Sequence, residues 1–153
     1  MAYRQEHIDC GEHIHGSNQF EEVDDYESWL EKVQKERATA RHGWVVNDTY
    51  FVVVGGKIVG MVNIRHSMNA HISKWSGHIG YGVRPSERYK GYATKMLSLA
   101  LDKCRELNID RVLVTCDKDN AGSAKTITKN GGILENEFVE ENGNIVKRYW
   151  IDL

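Results

Sequence analysis

The stretch that decides the fold is His78–Cys104, HIGYGVRPSERYKGYATKMLSLALDKC. Its first part, His78–Val83, predicts a short strand, which Pro85 ends because proline fixes its own φ and pushes the preceding residue towards an extended conformation. After the turn, apolar residues recur at the three- and four-residue spacing of one helix face, and these are Ala93, Met96, Leu97, Ala100, Leu101, Cys104 and Leu107. The stretch therefore predicts a strand, a basic turn containing glycine and an amphipathic helix in immediate succession.

The turn before this helix has the composition of an anion-binding site. The first N–H groups of a helix have no partner within it, and the aligned peptide dipoles place partial positive charge at that end. Gly91 has no side chain to obstruct a ligand, Ala93 is nearly as small, and Arg88 and Lys90 add positive charge. The turn therefore predicts a seat for a phosphate or diphosphate, although glycine turns also serve simply to change the chain direction.

Downstream of the helix the chain predicts a strand, a helix and a hairpin. Arg111–Cys116 is apolar and β-branched, and it should run parallel to the first strand because a helix links the two. Asn120–Asn130 predicts a short helix, with Gly131 suited to its left-handed cap. Ile133–Glu140 and Asn144–Ile151 flank an Asn-Gly turn and predict an antiparallel hairpin.

Upstream, the N-terminal third predicts helices on one side of the sheet. Tyr3–Cys10 is weakly helical, and Glu12–Phe20 predicts a loop. Asp24 and Glu27 resemble a capping box. The helix that follows would bury Tyr26, Trp29, Leu30 and Val33 and expose Lys32, Lys35, Glu36 and Arg37.

A hairpin precedes the deciding stretch. Tyr50–Val54 and Lys57–Arg65 are strand-like and flank a Gly55-Gly56 turn. His66–Gly77, which contains His66, Asn69, His71 and Trp75, predicts a long loop that is either functional or an ordinary connection.

The pattern RxxGxA at Arg88–Ala93, preceded by GYGVRPSER, resembles the acetyl-CoA-binding motif of the GNAT superfamily of N-acetyltransferases. The strand RVLVTCD, the asparagine-led helix and Asn130-Gly131-Gly132 look like the next elements of that family, so the likeness runs from about Tyr50 to Leu153. It implies one α/β GNAT domain over residues 1–153, with helices flanking a mixed, mostly antiparallel sheet whose parallel fourth and fifth strands splay apart. Because a strand opens that fold, we expect the first strand to be missing or truncated here.

The resemblance also implies a cofactor site. Acetyl-CoA would bind between the splayed strands and leave as CoA, with its pantetheine arm paired to the backbone around Tyr81 to Val83. Its diphosphate would rest on the turn and the first helix residues. The residues implied at the cofactor are Gly82, Val83, Arg88, Tyr89, Lys90, Gly91, Tyr92, Ala93, Thr94, Asn120, Ser123 and Lys125.

Four residues are candidates for the chemistry. Acyl transfer needs a donor for the developing oxyanion and a base for the amine proton. In the resembled family the oxyanion donor is a backbone group, which corresponds to about Val83, and His78 is the candidate base because its ordinary pKa of ~6.5 suits that role. The family's tyrosine acid is replaced by Ile127, so Tyr81 or Cys116 could serve instead, although both are also explained as packing residues.

We therefore expect an N-acetyltransferase that acts on the primary amine of a small molecule or peptide by direct attack. The alternative is a CoA-binding regulatory module without catalysis. A P-loop nucleotide binder is disfavoured, because Arg88–Thr94 lacks GxxxxGK[ST] spacing. The substrate side would be built from Glu12–Phe20, Trp44 and His66–Gly77, with Glu21, Glu22 or Asp24 available to meet a cationic amine.

Composition limits the partners and the compartment. The 153-residue chain has a formal net charge of -2, which argues against a nucleic-acid or anionic-membrane surface. No apolar run approaches the ~20 residues of a membrane span.

Cys10, Cys104 and Cys116 form no spaced framework, so we expect reduced thiols and a cytoplasmic protein. Cys10, His13 and His15 lack a fourth ligand at zinc spacing, so no metal site is predicted. Exposed strands of the terminal hairpin could pair two copies.

Overall fold

The computed structural model describes all 153 residues of the chain. The N-terminal part consists of helix α1 (Ala2–Asp9), a loop, a 3₁₀ turn (Phe20–Glu22) and helix α2 (Tyr26–Ala38). Asp25 caps α2 by accepting a hydrogen bond from Ser28 N at 2.7 Å, so the predicted cap at Asp24 is wrong by one residue. None of the helices has the length and apolar character of a membrane span.

Glu36 is buried rather than solvated, which corrects the predicted polar face of α2. Its carboxylate accepts hydrogen bonds from Asn18 Nδ2 at 2.9 Å and Asn47 Nδ2 at 3.0 Å, and Arg41 Nε lies 3.5 Å away. Partners contributed by a loop and a strand therefore offset the cost of burying this charge.

The first sheet is antiparallel, with strands β1 (Asn47–Val54), β2 (Lys57–Arg65) and β3 (Ile79–Val83) in that order. β1 and β2 form the predicted hairpin around Gly55-Gly56. The expected long loop before β3 contains helix α3 (Ala70–Trp75), because the Asn69 side chain accepts a hydrogen bond from Ile72 N at 2.9 Å and starts a helical turn.

The second sheet follows helix α4 (Tyr92–Glu106) and has the spatial order β4-β6-β5. Its strands are β4 (Arg111–Asp117), β5 (Ile133–Val139) and β6 (Ile145–Asp152), and helix α5 (Ala121–Lys129) follows β4. The terminal hairpin and the left-handed glycine after α5 are as predicted, since Gly131 has a φ of 88°.

The backbones of the two sheets meet where the start of β3 reaches the middle of β4. Gly77 forms a single antiparallel bridge with Val114 in the bend before β3, and His78 N donates to Leu113 O at 2.7 Å. Beyond this point no ladder joins β3 to β4. β3 and β4 run in the same direction. His78, before β3, contacts Leu113, and Tyr81, further along β3, lies near Cys116, further along β4. The predicted splaying of these parallel strands is confirmed.

Helix α4 holds the two sheets together. Its buried residues Met96, Leu97, Ala100, Leu101 and Cys104 share one hydrophobic cluster with side chains from β2, β3, β4 and β6. A second cluster lies on the opposite face of the first sheet and contains Tyr3, Ile14, Phe20, Trp29, Val33 and Met61. The first sheet is therefore covered on both faces, which fixes the position of β3 next to the gap.

Candidate functional site

The candidate site is the wedge between β3 and β4, which is closed at Gly77 and opens towards Val83. Arg84 N donates to Val59 O at 2.8 Å, so the register places the hydrogen-bonded pairs with β2 at Arg84, Gly82 and Gly80. Because backbone direction alternates along a strand, the N–H and C=O groups of Tyr81 and Val83 point away from β2 and into the wedge. No strand pairs with this edge, although Val83 O accepts a hydrogen bond from Arg88 Nε at 3.4 Å.

Gly82, predicted at the cofactor, is directed towards β2 by its own backbone groups. Its backbone belongs to the ladder with Met61, so it does not face the wedge. Its missing side chain has another use, because a Cβ at this position would come within 2.6 Å of His15 O. Gly82 therefore allows the Glu12–Phe20 loop to lie against β3.

The turn predicted to hold a diphosphate lies at the open end of the wedge. Gly91 is the N-cap of α4 with a φ of 81°, and no side chain caps the helix. A Cβ at Gly91 would meet nothing within 4 Å, and Tyr89 also has a left-handed φ and is fully exposed. The first N–H groups of α4, at Tyr92, Ala93 and Thr94, are thus open to an anion.

Both cations of this turn are paired with glutamates. Arg88 Nη1 donates to Glu12 Oε1 at 2.8 Å, and Arg88 Nη2 contacts Glu12 Oε2. The Arg88 hydrogen bond lowers the pKa of Glu12. Lys90 Nζ lies 2.7 Å from Glu87 Oε2. Sequence reasoning missed Glu12, because 76 residues separate it from Arg88 and nothing local links them.

Helix α1 also holds the segment that follows β3. Glu6 accepts a hydrogen bond from Arg84 Nε at 2.6 Å and from the Ser86 backbone N at 2.8 Å. The pKa of the Glu6 carboxyl falls to about 2, since these hydrogen bonds outweigh the opposing effect of burial. The N-terminal segment is therefore built into the wall of the site.

Tyr81 spans the wedge by a side-chain hydrogen bond. Its hydroxyl lies 2.8 Å from Ser123 Oγ, which joins β3 to the first turn of α5. Burial raises the pKa of Tyr81 to about 12, although the Ser123 hydrogen bond opposes that rise. Burial also raises the pKa of the nearby Cys116 thiol. The Tyr81 hydroxyl is therefore a protonated group held beside the wedge.

The other predicted residues of α5 have more ordinary surroundings. Asn120 is the helix N-cap, since its Oδ1 accepts a hydrogen bond from Ser123 N at 2.9 Å. Lys125 is exposed, and its side chain makes no ion pair. Ile127, at the family's tyrosine position, is fully buried in the main core, so it leaves no polar group there.

His78 is held by the structure in a way that weighs against its predicted role as base. The side chain is 7% exposed, and Nδ1 accepts a hydrogen bond from Leu113 N at 3.0 Å. Burial, with a smaller effect of Arg65, lowers the pKa of the imidazole. In neutral imidazole the second nitrogen then carries the proton, so no lone pair is left to accept one. The role of His78 as base stays a prediction.

The residues predicted on the substrate side separate into two places. The Glu12–Phe20 loop lies on β3 beside the wedge, where Gly16 Cα is 3.7 Å from the Cβ position of Gly80. Trp44 and His71 pack together at the closed end, with ring centroids 5.8 Å apart and Arg65 over the Trp44 ring. Only the first group is next to the open strand edge.

No group of three or more His, Cys, Asp or Glu side chains is arranged to hold a metal ion. The His13 ring contacts the Glu21 carboxylate, and Cys10 is an exposed free thiol.

A pair of splayed strands, an uncapped helix after RxxGxA and a covering N-terminal loop define an acyltransferase of the GNAT type. The GNAT acetyltransferase domain family matches residues 8–133, so the chain belongs to the GNAT superfamily. Among curated proteins it is similar to the uncharacterized N-acetyltransferase YjdG of Bacillus subtilis, with 39% identity over 66 residues, or 40% of this chain. That match spans 38% of the relative's length.

Solved structures have the same fold. The ribosomal L7/L12 alpha-N-protein acetyltransferase RimL, in complex with coenzyme A, matches 99% of this chain and 85% of its own, with a TM-score of 0.71 and 18% identity. A variant of the spermidine N-acetyltransferase SpeG of Vibrio cholerae matches 83% of this chain and 76% of its own, with a TM-score of 0.62 and 22% identity.

Proposed function

We propose that the chain is an acetyl-CoA-dependent N-acetyltransferase, in which the primary amine of a small molecule or peptide attacks the acetyl group directly. The observation that carries this proposal is the open wedge beside Tyr81 and Val83. Backbone groups that point into it have no strand partner, and an unpaired edge is a template for an extended, amide-containing ligand. The pantetheine arm of CoA has that character.

The turn at Gly91 supports the diphosphate half of the proposal. The free N–H groups of Tyr92, Ala93 and Thr94 would meet the anion, and Lys90 would add charge after leaving its partner Glu87. Arg88 is equally close in sequence, but its guanidinium is paired with Glu12 and would bind the diphosphate only in competition with that carboxylate. Lys125 is free to approach a phosphate of the nucleotide.

When bound, acetyl-CoA supplies an acyl group activated as a thioester. The Val83 N–H points into the wedge and would donate to the developing oxyanion. Tyr81 would give its proton to the departing sulfur, because its pKa of about 12 keeps the hydroxyl protonated at neutral pH and Ser123 holds it in position. The wedge also brings both reactants to one place, which lowers the entropic barrier.

Two acceptor classes follow from the relatives. Spermidine and a ribosomal protein N-terminus are named for two proteins of the same fold. We propose a primary amine of one of these kinds, and Glu21 and Asp117 near the loop would favour a cation. The alternative, a CoA-binding module without catalysis, is favoured by Ile127, since the tyrosine position is closed by a core side chain.

The test has two stages. Titration calorimetry with acetyl-CoA should give saturable binding, and absence of binding would remove the proposal altogether. Release of CoA thiol is then measured with polyamines, amino acids, aminoglycosides and short peptides with free N-termini. Thiol release with one class identifies an enzyme, whereas tight binding without release from any class identifies the regulatory module.

The β5 edge supports the proposal that two copies associate. β5 is the outer strand of the second sheet, and Ile133 and Val139 on it are 69% and 66% exposed. A lysine at Val139 should shift the mass measured by light scattering from dimer to monomer.

Cys10, Cys104 and Cys116 are free thiols, which suits the reducing cytoplasm that we propose as the compartment.

A further inference from the structure

The Glu12–Phe20 loop is seated on β3 by two glycines. A Cβ at Gly16 would come within 2.7 Å of Gly80 O and 2.8 Å of Tyr81 Cα, and one at Gly82 would come within 2.6 Å of His15 O. Each contact is too short for any residue with a side chain. The loop is therefore fixed against β3 at the level of Tyr81.

His15 is consequently held above Gly82, next to Val83. Its Cβ lies 3.4 Å from the position that a Gly82 Cβ would occupy, and Asp117 at the end of β4 is close enough to influence its titration. The His15 side chain thus starts beside Val83 at the open end of the wedge, within electrostatic range of the end of β4. It is exposed on one side and makes no side-chain hydrogen bond with the protein.

This environment differs from that of His78. The Nδ1 lone pair of His78 is taken by the Leu113 N–H, whereas either nitrogen of His15 can accept a proton. His13 does not fill the same place, since its ring is turned to the Glu21 carboxylate and meets His15 edge to face, with centroids 5.0 Å apart. Of the histidines near β3, His15 alone combines a free lone pair with a position at the wedge.

We propose that His15 is the general base that takes the proton from the acceptor amine, an inference that rests on the proposed acetyltransferase function. The ammonium gives one proton to His15, and the freed nitrogen lone pair forms the N–C bond to the acetyl carbonyl carbon. The C–S bond breaks with its electron pair on sulfur, which takes a proton from Tyr81 or water, and the nitrogen of the adduct gives its second proton back to the resulting phenolate or hydroxide, so that the products are the neutral amide and the CoA thiol. His15 then releases its proton to solvent through its exposed side.

The charges around His15 suit this role. Burial and the neighbouring His13 lower the pKa of His15, and Asp117, Glu21 and Glu12 raise it by a smaller amount. The imidazole is therefore neutral at pH 7 and ready to accept a proton. As the pH falls through its pKa, His15 becomes charged and the rate should fall.

The experiment compares His15→Gln with His42→Gln, a matched change at an exposed histidine outside the site. His15→Gln should lower kcat/KM for the best amine about 100-fold and remove the acidic limb of the pH profile, while the affinity for CoA measured by calorimetry is unchanged. Imidazole added to His15→Ala should restore part of the rate. The pKa of His15 measured by NMR titration of the wild-type protein should equal the pKa of the acidic limb of its pH profile.

Three outcomes overturn the proposal. If His15→Gln keeps the wild-type kcat/KM and pH profile while the wild type is active, the base assignment alone is wrong. If His15→Gln loses CoA affinity together with activity, the residue supports the loop instead of accepting a proton. If the wild type binds CoA but acetylates no amine, the proposed enzyme and its base fail together.

Discussion

Glu12 and Arg88 form a two-bond ion pair between the N-terminal loop and the turn before α4, with Arg88 Nη1 2.8 Å from Glu12 Oε1. The pair sets a carboxylate beside the proposed diphosphate seat, where it competes for the guanidinium. We predict that Glu12→Gln binds CoA several-fold more tightly, because an anion is removed and Arg88 is released.

Calorimetry with CoA measures this effect, and the gain should shrink at high salt. Glu106→Gln is the matched control, since Glu106 pairs with Lys103 at the other end of α4, at 2.7 Å. Weaker binding by Glu12→Gln would mean that Glu12 positions Arg88 for the ligand.

Gly91→Trp should abolish binding of acetyl-CoA. The position is open, so an indole ring would fill the space in front of the free helix N–H groups. Gly143→Trp is a matched control, because Gly143 also has a left-handed φ and open surroundings but lies in the β5–β6 turn. Equal losses in the two variants would point to backbone strain, and unchanged binding in Gly91→Trp would remove the diphosphate seat.

Tyr81→Phe should lower kcat at least tenfold and leave CoA affinity unchanged, since only a proton donor is removed. With a pKa of about 12, Tyr81 stays protonated through the usual assay range, so the wild-type rate should show no loss between neutral pH and pH 10 from this group. Tyr149→Phe, another buried tyrosine of the main core, is the control. If Tyr81→Phe retains the full kcat, water and not Tyr81 protonates the departing sulfur.

His78→Ala should cost about 1–3 kcal/mol of unfolding free energy, because the buried Leu113 N–H loses its acceptor. Chemical denaturation measures the loss, and His78→Asn should recover part of it by offering an oxygen near the Nδ1 position. Activity per folded molecule should be retained. A variant of wild-type stability with a lower kcat/KM and an altered pH profile would instead support His78 as the base.

Acid should destabilise the fold through its buried histidines. His7 is 1% exposed and both its nitrogens lack a hydrogen-bond partner, and burial lowers its pKa, as it does for His78. The unfolded chain therefore takes up protons at about pH 6.5 while the folded chain does not. The unfolding free energy should fall as the pH drops below that value.

His7→Leu tests this effect by urea denaturation at neutral and acidic pH. The variant should be at least as stable as the wild type at neutral pH, because an unpartnered polar group is removed from the interior, and it should lose less stability in acid. If His7→Leu loses as much unfolding free energy in acid as the wild type does, His7 does not contribute to the acid sensitivity.

The order of elements was readable from sequence because it depends on local pattern. Apolar spacing predicted α4, the Gly55-Gly56 and Asn-Gly turns predicted both hairpins, and RxxGxA marked the start of α4. Two errors had different causes: distant partners decided the burial of Glu36, whereas the helix in the expected loop starts at a local cap that was overlooked. Glu36 is buried by Asn18 and Asn47, and Asn69 starts a helix inside an expected loop.

By itself the sequence determined the GNAT superfamily, its α/β architecture and the glycine turn before α4, since each depends on residues that are neighbours along the chain. Only the tertiary structure decided which side chains meet at the wedge. Glu12 with Arg88 and Tyr81 with Ser123 are 76 and 42 residues apart. The position of His15 over Gly82 depends on glycines in two elements fitting together. Such contacts follow from packing, which no local pattern records.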